Sequence, residues 1–247
     1  MTATHATPTP TALSLTPETL VGDVVTADVH ATRVLDRHGI DYCCGGRRTL
    51  REAAQEAGLD LDALLSDLAG TGGAAPDWAA LAPAALARHI VETHHAYLWE
   101  EMPRVQALAE KVARVHGERH PELAEVRKLT QALVADLTGH LAKEERILFP
   151  AIQTFFANDG RVDFPFGRLA NPIRAMLAEH DEAGVILARL REITGDFVAP
   201  ADGCGSYSAL YAGLAEMETD LHLHIHKENN ILFPLVIQIE EQRLGAA

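Results

Sequence analysis

The segment His140-Leu-Ala-Lys-Glu144-Glu-Arg-Ile-Leu-Phe-Pro150 returns as His224-Ile-His-Lys-Glu228-Asn-Asn-Ile-Leu-Phe-Pro234, identical at seven of eleven positions. In each copy a histidine precedes a glutamate by four residues. On a helix that is about one turn and roughly 6 Å along the axis, so both side chains share a face. The repeat extends upstream, because His95 lies 45 residues before His140 and His180 lies 44 before His224. Each half therefore reads as a helical hairpin that offers one histidine, then a histidine and a glutamate. Pairing two such hairpins would bring four histidines and two glutamates to one level of a bundle, where two-metal carboxylate centres are built.

Apolar residues support that arrangement. Val91, His95, Leu98, Met102 and Val105 keep one helical phase; so do Ile173, Met176, His180, Gly184 and Leu187, and Leu214, Met217, Leu221, His224, Glu228, Ile231 and Leu235. The phase through His94 soon meets Glu101, which favours His95 as the inward histidine. A buried polar group without a partner costs roughly 1–3 kcal/mol, and an unpaired carboxylate more, so six together would consume most of a domain's stability. A pair of cations removes that penalty. Imidazole with carboxylate suits iron, manganese or zinc, and chemistry favours iron. The remaining histidines, His5, His30, His38, His89, His94, His116, His120, His222 and His226, are read as non-ligands; His222 and His226 are assigned to a polar outer surface.

The fold class expected is all-α. Four helical blocks, about 84–117, 121–157, 172–198 and 206–243, have the lengths of an antiparallel four-helix bundle occupying 78–243. Ahead of it, residues 17–70 read as a small domain of short helices. Thr16-Pro-Glu signals a first helix start, Thr49 and Glu52 have capping-box spacing, and Asp60 can cap another helix. Residues 71–77 read as a linker, and the Thr-, Pro- and Ala-rich residues 1–16, which lack the features of a secretory signal, as a disordered lead-in.

A formal charge of −14 with no basic run argues against nucleic acid or an anionic membrane as a partner, and no apolar stretch is long enough to span a bilayer. Three cysteines, two of them adjacent, make no disulfide framework, so a reducing, cytoplasmic compartment is the expectation.

At these residues the sequence resembles the hemerythrin-like di-iron proteins. With Asp41-Tyr-Cys-Cys-Gly-Gly46 added, it resembles the iron-sulfur cluster repair di-iron family over nearly the whole chain from about residue 17. The resemblance implies two non-haem iron ions, oxo- and carboxylate-bridged, with His95, His140, Glu144, His180, His224 and Glu228 as ligands and both glutamates bridging. It implies repair of iron-sulfur clusters damaged by nitrosative or oxidative stress, through supply of iron. Damaged iron-sulfur proteins are then the partners, and an electron donor or a second copy of the chain in a homodimer is left open. The alternatives are a nitric oxide or oxygen reducing enzyme, and a hemerythrin-like module that binds or senses oxygen or iron. Oxygen-carrying hemerythrins have a further histidine where this chain has Gly184, and His-x-x-x-x-Asp where it has His224-x-x-x-Glu228. The centre expected here is correspondingly more open.

Cys43 and Cys44 are the candidate reactive thiols. Two arginines and a helix start follow them, an electropositive setting that predicts thiolates. Exchange with a partner thiol, or holding iron in transit, fits adjacent cysteines better than a strained internal bridge. Cys204, in an inter-helix loop, receives no role from the sequence.

Overall fold

The computed structural model describes residues 13–71, 78–160 and 162–245. Most of the expected lead-in, residues 1–12, and most of the expected linker, residues 72–77, lie outside them. The chain divides into two compact units between Asp77 and Trp78. Among the described residues helices dominate and no strand forms beyond two isolated bridges.

The first unit contains α1 (Val21–Ala27), α2 (Thr32–Arg37), α3 (Leu50–Glu56) and α4 (Leu61–Ala69). The first helix begins at Val21 rather than near Thr16. Thr16 and Thr19 instead close a turn, in which the Thr19 amide donates to the Thr16 carbonyl and the Thr19 hydroxyl accepts from the Thr16 amide. That local alternative for the backbone is what threonine offers ahead of a helix. Thr49 and Glu52 form a reciprocal capping box on α3, and the Asp60 carboxylate accepts from the Ala63 amide at the start of α4. Gly58, at φ +66°, lets the chain turn between them.

The second unit is a bundle of four long rods. The first runs through α5 (Pro83–Ile90), a π turn at Val91–His95 and α6 (Ala96–His116). The second is α7 (Leu123–Lys143), a π turn at Glu144–Leu148 and α8 (Phe149–Ala157). The third is α9 (Ala170–Ile193), and the fourth joins α10 (Gly205–His226), a π turn at Lys227–Leu232 and α11 (Phe233–Gly245). α6 packs on α7 and α10, and α7 on α9, around Leu98, Met102, Val105, Leu133, Leu187 and Leu214. α9 stops five residues short of the expected 198. Gly195, Asp196 and Phe197 all take positive φ, and the Thr194 hydroxyl accepts the Phe197 amide, which closes the helix.

No helix among the described residues is long and apolar enough to cross a membrane.

Candidate metal centre

Three of the four rods widen at the level of the candidate ligands. His95 ends the first π turn, Glu144 opens the second, and Glu228 is the second residue of the third. The two copies of the repeat widen in the same way, with the Phe149 amide donating to the Glu144 carbonyl and the Phe233 amide to the Glu228 carbonyl. Each bond spans five residues instead of four. The next residue in each copy is a proline, Pro150 or Pro234, which has no N–H to donate and crowds the carbonyl four residues back. The wide turn absorbs that conflict one step upstream and carries the glutamate side chain into the bundle. α9, which supplies only His180, stays regular.

All six candidate residues are brought together, and none is more than 4% exposed. They form two overlapping sets, His95, Glu144, His224 and Glu228 in one and His140, Glu144, His180 and Glu228 in the other, sharing both carboxylates. Glu228 turns Oε1 to His224 Nε2 at 3.2 Å and Oε2 to His180 Nε2 at 3.1 Å. Glu144 points Oε2 between His95 Nε2 and His140 Nε2, 3.4 Å from each. His140 and His180 meet Nε2 to Nε2 at 3.1 Å.

Outward partners fix the rings. The Nδ1 of His95 faces Glu145 Oε1 at 3.0 Å, that of His140 faces Glu179 Oε2 at 2.9 Å, and that of His180 faces Asn229 Oδ1 at 2.8 Å. An Nδ1–H given to each acceptor leaves the Nε2 lone pair aimed at the centre. Trp99 donates to Glu145, and Lys143 pairs with Glu179, so the acceptors are themselves held. His224 differs. Its Nδ1 has no partner, and His94 stacks on the ring face to face at 5.3 Å.

The sequence reading overlooked these supports, although the repeat contains the signal. Glu145 and Asn229 are the same position in the two copies, one residue after each glutamate, and both can accept a hydrogen bond. Two further expectations are corrected. His94 is buried, pinned by Asp220 at 2.7 Å and by the buried Lys227 at 2.7 Å, because Glu101, whose charge marked that phase as outward, is itself buried and paired with Arg104. His226 is fully buried rather than part of a polar outer surface, with its Nδ1 against Asn230.

Without cations the site is electrostatically awkward. Burial and the neighbouring Glu228 push the Glu144 carboxyl up, but His140 and His95 prevail and hold it below its ordinary value. Burial likewise opposes the Glu228 carboxylate, and His224 and His180 hold it well below the usual range. Burial alone would lower His140; the carboxylates of Glu144 and Glu228 and the bond to Glu179 raise it to about 9. His95 is raised in the same way, whereas burial dominates at His224 and lowers it. Both oxygens of Glu144, Oε2 of Glu228 and Nε2 of His95 are buried and, despite the ion pairs that Glu144 Oε2 and Glu228 Oε2 make with neighbouring imidazoles, form no hydrogen bond. Ligand atoms so poorly satisfied at the meeting point of six ligand-type side chains fit metal cations.

A cavity of about 140 Å³ reaches this level, lined by His140, His180 and His224 with Leu137, Ala183 and Leu221. A Cβ added at Gly184 would meet nothing within 4 Å, so the position one turn beyond His180 is open space.

Residues 86–236 match the model of the hemerythrin HHE cation-binding domain, and residues 17–71 match a domain of unknown function designated DUF542. The chain is 36% identical to the iron-sulfur cluster repair protein YtfE of Yersinia pseudotuberculosis serotype IB, over 89% of this chain and 97% of that protein. It is 37% identical to the YtfE of Musicola paradisiaca, over 90% of this chain and 98% of that one. The chain belongs to this family. Its bundle is thus a cation-binding hemerythrin-like domain, and its similarity to these repair proteins runs along nearly their full length.

Within the residues that match DUF542, Cys43 and Cys44 lie with Sγ atoms 3.8 Å apart. Their surroundings correct the expected electropositive setting. The Asp41 carboxylate accepts from the amides of Cys43, Cys44 and Gly45 and from the Cys43 thiol, while Arg48 is drawn to Glu56 and the Asp41 carbonyl. The bond to Cys44, burial and the Asp41 charge together push the Cys43 thiol well above its ordinary value. Asp41, Cys43 and Cys44 do form a group able to hold a metal ion.

Proposed function

We propose that the chain is a non-haem di-iron protein that repairs iron-sulfur clusters damaged by nitrosative or oxidative stress, and does so by supplying iron. The observation that carries it is the pair of overlapping ligand sets that share Glu144 and Glu228 and leave buried carboxylate oxygens without a hydrogen bond. Two carboxylates offset half the charge of two divalent ions, and a shared carboxylate spans ions held roughly 3.5–4 Å apart. In this reading His95 and His224 would hold one iron and His140 and His180 the other, with both glutamates available to each.

Release is favoured by a sparse shell. Open space at Gly184 and the cavity beside His140 and His180 leave this iron with few protein ligands and a path to solvent. The relatives' names supply the task, and Cys43, Cys44 and Cys204, none of them in a disulfide, suit the cytoplasm, where damaged iron-sulfur proteins would be clients and an electron donor would keep iron reduced. Asp41, Cys43 and Cys44 offer a second hold for iron on its way out.

The same cavity supports a second reading, reduction of nitric oxide or oxygen at the centre. The deciding experiment mixes iron-loaded and iron-free protein separately with a cluster-depleted dehydratase. Greater recovery of activity with the iron-loaded form is expected. Equal recovery, with steady consumption of nitric oxide by the reduced protein, would replace repair by reduction.

A further inference from the structure

Near the far end of the first rod, 21 residues and about 30 Å along the helix from His95, lies a second group of reactive side chains. Cys204 is exposed and stands at the N-cap of α10, a helix of 22 residues. Its Sγ lies 3.2 Å from Nε2 of His116, the last residue of α6. His116 is only 5% exposed and its Nδ1 has no hydrogen-bond partner, so among the described residues the Cys204 thiol is the hydrogen-bond partner of this buried imidazole. Tyr207 packs edge-on against both His116 and His120, and its hydroxyl meets that of Tyr211, which fixes the imidazole from the helix side.

The other charges nearby are already engaged. Asp202, two residues before the cysteine, faces His120 at 3.1 Å and Arg119 at 3.4 Å, and His120 also meets Glu122 at 3.2 Å. That leaves His116 as the group that responds to the sulfur. The thiol makes no full capping hydrogen bond; it sits at the positive end of α10, where the Tyr207 and Ser208 amides donate to the Cys204 carbonyl. His116 foremost, and then the amides of Tyr207 and Ser206, bring its pKa down to about 7.

We propose that Cys204 and His116 form a reactive thiol site at which low-molecular-weight disulfides are attacked and the protein becomes S-thiolated. The Cys204 thiol gives its proton to His116 Nε2. The thiolate attacks one sulfur of a small disulfide RSSR, the new Cys204–SR bond forms as the S–S bond breaks, and RS⁻ leaves, taking a proton from the imidazolium. Cys204 is oxidised to a mixed disulfide, and half of the small disulfide is reduced to a thiol. An attacking thiol whose pKa lies near ambient pH is the most effective in such exchange, because it combines a large thiolate fraction with retained nucleophilicity. An exposed cap position admits the small disulfide without opening the bundle. The site is independent of the metal centre.

The test treats the full-length protein, iron-loaded and chelator-treated, with excess oxidised glutathione across a pH series. Modification of each cysteine is followed by digestion and mass spectrometry. Cys204 is expected to react first, with a rate that inflects near neutrality in both forms. His116→Asn, checked for native helicity, is expected to slow Cys204 about three- to tenfold at neutral pH and to move the inflection up. A parent protein whose Cys204 inflects only in the ordinary cysteine range overturns the proposal whatever the variant does. So does a folded His116→Asn protein that reacts at the parental rate.

Discussion

The Nε2 atoms of His140 and His180, forty residues apart in the chain, lie 3.1 Å from each other. The two rings reach each other from different helices, α7 and α9, and both turn Nε2 toward the level at which Glu144 and Glu228 are buried. That convergence of imidazole and carboxylate is what would hold cations.

Metal content follows from the shared carboxylates. Protein purified without chelator is expected to contain about two iron ions per chain. Glu144→Ala and Glu228→Ala should each lose most of both, since each removes a ligand from both sets. Elemental analysis beside a helicity measurement checks this. Zinc in place of iron, or full iron in either variant, would contradict the assignment.

The pH dependence of stability should differ between metal-free and metal-loaded protein. In the metal-free form the folded pKa of His140 is raised to about 9 from an unfolded value near 6.5. Its contribution is therefore complete below about pH 6.5 and is lost as pH rises toward 9. Glu144 and Glu228 are lowered, so their contribution is present above about pH 4.5 and is lost in acid. The metal-free Tm should fall between neutral and pH 9, whereas a metal that replaces the proton on His140 should flatten that limb. Calorimetry of chelator-treated and reloaded protein would reveal parallel curves if this is incorrect.

The outward acceptors set the ring orientations, and their loss should be felt as affinity. Glu145→Ala, Glu179→Ala and Asn229→Ala are each expected to weaken metal binding about 10- to 100-fold with little change in helicity. Competition with a coloured chelator measures it. Unchanged affinity in all three would remove the orienting role.

Filling the open position should close the centre. Gly184→His adds a side chain where a Cβ meets nothing within 4 Å, and also removes a helix-interior glycine that costs up to about 1 kcal/mol. The variant is expected to release iron to a chelator more slowly and to support cluster repair less well. Release as fast as in the parent would show that Gly184 does not control access.

The repeated His-x-x-x-Glu pattern and the apolar phases made the bundle and the six candidate residues legible from sequence, because ligand and core positions on a helix share one periodicity. The supporting shell was less legible. Glu145 and Asn229 occupy equivalent places in the repeat, but the partners they hold, His95 and His180, belong to other helices. The burial of His94 was not legible because the charge of Glu101, about two turns on, pointed that phase outward, whereas Arg104 pairs with Glu101 and lets it be buried. The setting of Cys43 was misread because the nearby arginines are close in sequence, whereas the Asp41 carboxylate is the charge that folds onto the sulfur.

Sequence by itself determined which residues could bind cations and that helices would carry them, since composition, spacing and periodicity are local properties. Tertiary structure decided which carboxylate oxygen faces which histidine and which outward acceptor orients each ring. It also turned Cys204, an unremarkable loop residue in the sequence, into the partner of a buried imidazole 88 residues away. Those are contacts between distant segments, and a contact exists only once packing has fixed the distance between them.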